Sequence, residues 1–191
     1  MDNTDIYKDM EKYTRSGEII TLTDRVLDLI TTGVYVITTR HQDDINGMTA
    51  AMVLRISGKP YYVMTAIWHQ NYSNKLIEKA GCFAVNILHE NQIGVAKHFG
   101  RQSKREVNKF KRQDIYWESK KTGSPILLDA LAYLDCCLVD AYDPPKGDHT
   151  LFIGEVVEAN ILRDLEPLIY RRGDYPYRVI KKNKTKHLKT D

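Results

Sequence analysis

The sequence has little of several things, and each shortage closes off a class of function. Its charge is nearly balanced: 28 Lys and Arg against 25 Asp and Glu leave a formal net charge of only +3. A nucleic-acid binder carries a stronger basic excess gathered on one element, so no nucleic-acid partner is expected. The dense basic run Lys181-Lys182-Asn183-Lys184-Thr185-Lys186 lies at the extreme C-terminus, where a solvated tail is the ordinary outcome. No apolar run approaches the ~20 residues that a membrane helix requires, so no membrane is expected. The N-terminus, Met1-Asp2-Asn3-Thr4-Asp5, is polar and acidic and lacks the basic and apolar regions of a secretory leader. There are three cysteines, Cys82, Cys136 and Cys137, and an odd count with two adjacent makes a poor disulfide framework. Together these features read as a cytoplasmic protein with reduced thiols.

The nucleotide and hydrolase signatures are missing too. No GxGxxG follows a strand, there is no GxxxxGK[ST], and no GxSxG elbow exists. A nicotinamide cofactor, if used, is therefore not held by a Rossmann domain. The six histidines, His41, His69, His89, His98, His149 and His187, form no pair with His or Cys at zinc spacing, so no metal is expected. Internal repeats and low-complexity segments are absent.

What is present is a core of ordinary size. Apolar residues make up 42% of the 191 residues, enough for one domain. A helix is expected after Thr23, with the apolar face Val26, Leu27, Leu29 and Ile30, ending at Gly33. Val34-Tyr35-Val36-Ile37-Thr38-Thr39 is a β-branched and aromatic strand. A second strand is expected over 45–56, interrupted at Gly47, and a third over 61–67. A short helix over 71–80 ends at Gly81. Strands over 82–88, 131–141 and 151–161 follow, with a helix over 91–99 stopped by Gly100 and a charged segment, 101–110, holding a further short helix. Six or seven strands without strict strand–helix alternation exclude a doubly wound parallel sheet. The pattern is mainly β: a mostly antiparallel barrel with short helices packed around it. The expected divisions are an N-terminal extension over 1–22, a domain over 23–180 and a basic tail over 181–191.

Four segments are candidates for chemistry, each with a plainer alternative. Asn46-Gly47-Met48-Thr49-Ala50-Ala51 is a strand of small and polar residues, which lets a flat ligand approach the backbone, or else marks an edge strand with a bulge at Gly47. Asn71-Tyr72-Ser73-Asn74 opens a helix, where Ser73 and the first-turn N–H groups make an anion site or a simple cap. Arg101, Lys104, Arg105 and Lys109 offer cations to a phosphate, or form a solvated face balanced by Glu106. Gly147-Asp148-His149-Thr150 is a hairpin turn entering a strand. It also places His149 at a barrel rim, where an imidazole donates to a carbonyl or stabilises negative charge on a reduced ring.

Taken in order, these segments resemble the flavin reductase-like, FMN-binding split-barrel family, which includes flavoredoxins. The resemblance runs from about Asp24 to Arg178. It rests on Gly33-Val34-Tyr35-Val36-Ile37, on Ile45-Asn46-Gly47-Met48-Thr49-Ala50-Ala51-Met52, and on Asn71-Tyr72-Ser73-Asn74-Lys75-Leu76-Ile77. It continues through Phe83-Ala84-Val85-Asn86, Phe99-Gly100, Val107-Asn108-Lys109-Phe110 and Gly147-Asp148-His149-Thr150-Leu151-Phe152-Ile153-Gly154-Glu155-Val156. It implies a Greek-key split β-barrel homodimer with FMN near the subunit interface. By position, Asn46 and the backbone of Gly47, Met48, Thr49, Ala50 and Ala51 line the isoalloxazine ring, and Met52 packs beside it where many relatives carry Trp. The phosphate falls to Ser73 with Lys109 as cationic partner, His149 sits near the flavin, and Tyr175 completes the pocket. The reaction expected is hydride transfer from NADH or NADPH to the flavin and on to an acceptor, with His149 favouring the reduced flavin. The alternatives are a non-enzymatic FMN electron carrier reduced by another redox protein, and a split barrel that binds haem, another ligand or nothing.

Overall fold

The computed structural model describes residues 14–15, 18–19, 21–102 and 107–170. The chain divides into two compact units, the larger over Thr32–Tyr170; of the smaller, residues 14–15, 18–19 and 21–31 are described. In the smaller unit, two short strands, β1 (Thr14–Arg15) and β2 (Glu18–Ile19), pair antiparallel. Helix α1 (Leu22–Leu27) follows, and it begins two residues earlier than expected because Thr21 and Asp24 form a reciprocal capping box. It also ends well before Gly33, which instead lies in a strand.

The main unit contains β3 (Thr32–Gly33), β4 (Tyr35–His41), β5 (Asp44–Ala50), β6 (Val53–Arg55), β7 (Tyr62–Trp68), α2 (Tyr72–Ala80), β8 (Cys82–Ile87) and α3 (Ile93–Arg101). A 3₁₀ turn at Lys109–Lys111 follows, then β9 (Trp117–Ser119), β10 (Pro125–Leu127), β11 (Ala132–Tyr142), β12 (His149–Ile161) and β13 (Ile169–Tyr170). Seven of these strands form one antiparallel sheet in the order β5-β4-β8-β11-β12-β7-β6.

Chain connectivity forces that sheet to curl. β5 and β6 are its two edge strands, yet only Ala51 and Met52 separate them. Six gaps of about 4.8 Å would hold the edges of a flat sheet nearly 30 Å apart, whereas three Cα–Cα links span at most about 11 Å. The expected single strand over 45–56 is therefore two strands with different partners. The Val53 N–H donates to the Ala51 carbonyl at 3.1 Å in the tight turn between them, and the Met52 carbonyl accepts from the Ala66 N–H of β7. Gly47 is not the interruption: the β4–β5 register runs without a shift through Thr38↔Gly47, so there is no bulge.

The concave face holds the main core: Ile37, Val63, Ile67, Phe83, Val85, Cys136 and Phe152, with Ile77 of α2 as its plug. The opposite face of β4 and β8 is covered by the β9–β10 hairpin. Asn86, fully buried there, donates to the Val36 carbonyl and the Thr38 hydroxyl and accepts from the Leu127 N–H. β4 and β8 are buried on both faces, which is why they read as continuous runs, not alternating ones. Gly81 ends α2 at φ +65°, a left-handed cap that glycine adopts without steric cost, as expected. Gly100 does not end α3, which continues to Arg101. No described helix is long and apolar enough to cross a membrane.

Candidate functional site around the first turn of α2

Four consecutive residues at the start of α2 fasten it to the edge strand β5 on one side and to β7 and β12 on the other. The Asn71 side chain reaches Met48 Sδ at 3.7 Å, the Tyr72 hydroxyl donates to Asp44, and Ser73 Oγ accepts from Asn46 Nδ2 at 2.8 Å. Asp44, Asn46 and Met48 alternate along β5, so they share the strand face that meets the helix. On the other side, Asn74 Nδ2 donates to the Ile67 carbonyl at 3.1 Å and to Thr150 Oγ1 at 2.9 Å, and Thr150 donates on to Asp143 at 2.6 Å. Ser73 and Asn74 are buried because these bonds satisfy them where α2 crosses the sheet.

Two features mark this turn as a place for a ligand. Asn46 is 3% exposed, and its amide oxygen is buried with no hydrogen-bond partner among the described residues. An orphaned buried acceptor is costly unless a bound donor satisfies it. In addition, the N-cap residue Asn71 makes no side-chain capping bond, so the positive end of the helix is not neutralised by its own cap.

His149 begins β12 directly across from Trp68 of β7 and precedes Thr150. Its Nδ1 lies 2.6 Å from Asp148 Oδ1. That bond holds the Asp148 carboxyl below the usual carboxylate range, so Asp148 stays ionised. A carboxylate only accepts, so the ring proton sits on Nδ1 and Nε2 is left for a ligand.

The other sequence-level candidates are distributed differently from expectation. Gly47 and Thr49 face away from α2: Thr49 donates to the Ala96 carbonyl of α3 at 2.7 Å. A Cβ on Gly47 would stand 2.7 Å from Phe99 Cε1 and 3.3 Å from Phe110. The small residue is thus accounted for by aromatic packing and not by ligand approach to that face. Ala50 is core, Ala51 lies in the bend, and Met52 is half exposed beside it. The run 46–52 is therefore divided between two faces and a bend, where the sequence suggested a single lining.

Lys109 also departs from expectation. Instead of standing in an open polar loop, it is 3% exposed, and its Nζ donates to the carbonyls of Gly47 at 2.7 Å and Phe99 at 3.0 Å. The Gly47 carbonyl is available because β5 is an edge strand. Burial lowers the Lys109 pKa from 10.5 to about 8. Tyr175 and the cations Lys104 and Arg105 lie outside the described residues.

The candidate segments contained Asn74, Asp148 and Thr150, but the sequence assigned a role only to Ser73 and His149 and none to these neighbours. The signal for Asp148 was its adjacency to His149. The signal for Asn74 was a polar residue two positions before the core-facing pair Leu76 and Ile77.

Comparison with known proteins places the chain in a family. The family described as "Flavin reductase like domain" matches residues 27–177. The reductase subunit HsaB of a flavin-dependent monooxygenase from Mycobacterium tuberculosis is 35% identical over 152 residues, 78% of each chain. The solved structure of nitrilotriacetate monooxygenase component B from Mycobacterium thermoresistibile is 36% identical with a TM-score of 0.71, covering 87% of this chain and 90% of its own. That of the NADH:FAD oxidoreductase SgcE6 from Streptomyces globisporus is 28% identical with a TM-score of 0.72, covering 82% and 94%. With the match spanning the whole curled sheet and both ends of the site, the chain belongs to the flavin reductase-like domain family.

Proposed function

We propose that this protein is an NAD(P)H-dependent flavin reductase that holds FMN against the first turn of α2 and the open edge of β5, in a Greek-key split-barrel homodimer. The observation that carries the reading is the buried, partnerless Asn46 oxygen beside Ser73 at a helix start that lacks a side-chain cap. A hydroxyl and the positive end of a helix can donate to a phosphate, and the amide oxygen can accept from the hydroxyls or ring N–H of a phosphorylated polyol chain on a heterocycle. Flavin, when bound, supplies the redox chemistry, accepting a hydride equivalent from the nicotinamide and passing electrons onward.

The chain's own residues bind and orient. Ser73 and the α2 N-terminus take the phosphate, and Asn46 Oδ1 accepts from a ligand hydroxyl or N–H. Lys109 fixes the Gly47 carbonyl, and with it the edge of β5. His149, with Asp148 on Nδ1, presents Nε2 to the ligand, and when the ring carries a proton on both nitrogens its Nε2–H donates to the reduced, negatively charged form and favours it. Two of the relatives named above are components of monooxygenases, which supports an acceptor protein that consumes reduced flavin.

The test is anaerobic mixing of FMN-loaded protein with NADH and, separately, NADPH while the flavin absorbance is followed. Bleaching with at least one nucleotide is expected. Bound FMN that neither nucleotide bleaches overturns the reductase reading in favour of an electron carrier, and protein that binds neither FMN nor FAD overturns the flavin site itself. A monomer in light scattering of the loaded protein overturns the dimer.

A further inference from the structure

The sheet carries a second pair of reactive groups remote from the first turn of α2. β8 and β11 pair antiparallel with Cys82 directly opposite Cys137. The Leu138 N–H donates to the Gly81 carbonyl at 2.9 Å, so the bonds flank this residue pair and it is a non-hydrogen-bonded one. Directly opposed residues point to the same face of the sheet, and at such sites the Cα atoms stand about 4.5 Å apart, at the near end of the separation a disulfide accepts. Both cysteines are free thiols, Cys82 buried and Cys137 exposed. Cys136 points to the other face, into the core beside Phe83 and Phe152, where burial pushes its thiol far up.

The surroundings give the two thiols different tasks. Cys82 lies under the turn between β9 and β10: its Sγ–H points at the Thr122 carbonyl at 3.6 Å, and Ser124 Oγ donates to its sulfur at 3.5 Å. Cys137 lies beyond the cover of that turn, flanked by Cys82 on β8 and Glu155 on β12. An oxidant therefore meets Cys137 first and finds Cys82 behind it.

We propose that Cys82 and Cys137 form a redox-active cross-strand dithiol, oxidised by a peroxide to an intramolecular disulfide, with Cys137 the entry thiol and Cys82 the resolving one. Cys137 sulfur attacks one peroxide oxygen, giving a sulfenic acid and releasing the other oxygen as water. Cys82 sulfur then attacks the sulfenic sulfur, the S–S bond forms, and the hydroxyl leaves with the Cys82 proton as a second water. Two thiols lose two electrons and two protons, and hydrogen peroxide is reduced to two waters. Reaction is slow at neutral pH, because desolvation, followed by the charges of Cys82, Asp135 and Glu155, pushes the Cys137 thiol up. The pair lies just past the C-terminal end of α2, whose nine residues place it about 13 Å from the first turn. The cross-link is accordingly independent of the flavin reading.

The experiment treats the full-length folded protein with hydrogen peroxide and then blocks free thiols. It measures intact mass, and it maps peptides without reductant. The expected result is a chain lighter by two hydrogen atoms, a Cys82–Cys137 cross-linked peptide, and Cys136 still blocked as a thiol after unfolding. Cys137→Ser abolishes the cross-link and keeps flavin reductase activity, while Cys136→Ser keeps the cross-link. Cys137 oxidised to sulfinic acid with Cys82 untouched, a disulfide joining two chains, or three intact thiols each overturn the proposal. Because Cys137 is exposed, its variant folds even if Cys82→Ser does not.

Discussion

Replacing Lys109 with Met tests the most unusual electrostatic feature of the protein. A lysine 3% exposed, whose bonds run to two carbonyls, bears a burial cost whenever it is charged. The fall of its pKa from 10.5 to about 8 corresponds to about 3 kcal/mol. Two charge-assisted hydrogen bonds favour the ammonium and oppose that fall, so the realised figure is about 1–3 kcal/mol. Below about pH 8 both folded and unfolded chains carry the charge, and the folded state bears the full cost. Between about pH 8 and 10.5 the folded lysine is neutral while the unfolded one keeps its proton. The unfolded state then binds more protons, so stability rises with pH through that window.

Urea unfolding of the wild type and of Lys109→Met, each at pH 7 and pH 10, isolates this contribution, because other titrations cancel in the difference. The wild type is expected to gain about 1–3 kcal/mol on the variant between the two pH values. A gap that stays constant refutes the buried-ammonium argument. A wild type that instead loses stability relative to the variant shows Lys109 held charged by an anion. Repeating the comparison with FMN bound tests the sequence-level alternative, in which Lys109 meets the phosphate: a gain abolished by FMN supports it, and a gain that persists rejects it.

Three further outcomes follow from the same geometry. Gly47→Ala places a methyl 2.7 Å from Phe99 Cε1 and 2.8 Å from its Cδ1; the expected loss is about 1–3 kcal/mol, read as a lowered Tm, and an unchanged Tm contradicts the packing. Ser73→Ala removes the proposed phosphate ligand and leaves Asn46 Nδ2 without its partner, so FMN affinity measured by fluorescence quenching is expected to fall about tenfold, roughly 1.4 kcal/mol; equal affinity removes Ser73 from the site. Asp148→Asn withdraws the carboxylate from His149 Nδ1 and lowers the potential of bound flavin, by less than His149→Ala does because Asp148 is mostly exposed and solvent screens it; spectroelectrochemistry that finds no change for either variant removes His149 from the redox role.

Local sequence carried much of this architecture, for identifiable reasons. Tyr35 to Thr39 and Phe83 to Ile87 declare themselves as strands because burial on both faces requires continuous apolar and β-branched residues. The α2 helix was bounded correctly by Gly81, since only its backbone conformation tolerates φ +65° without strain. Ser73 and His149 were legible as site candidates because a helix start and a hairpin entry confer their chemistry locally.

Other features were decided by contacts between residues far apart in the chain. Gly47 looked like a bulge or a ligand-facing residue, but its partner is Phe99, fifty-two positions away. Lys109 looked like a loop cation, but an edge carbonyl on β5 draws it inside. Nothing in the run 45–56 announced a break at Ala51 and Met52, because both halves have strand character and only the curl of the seven-stranded sheet separates them. The sequence by itself determined the strands, the caps and the ordered motifs that carry the family. Which face of each strand meets a helix, which lysine is buried and which cysteines stand opposite each other were decided by tertiary structure. Periodicity reports that a side chain is buried, whereas its partner is fixed by strand register and sheet curvature.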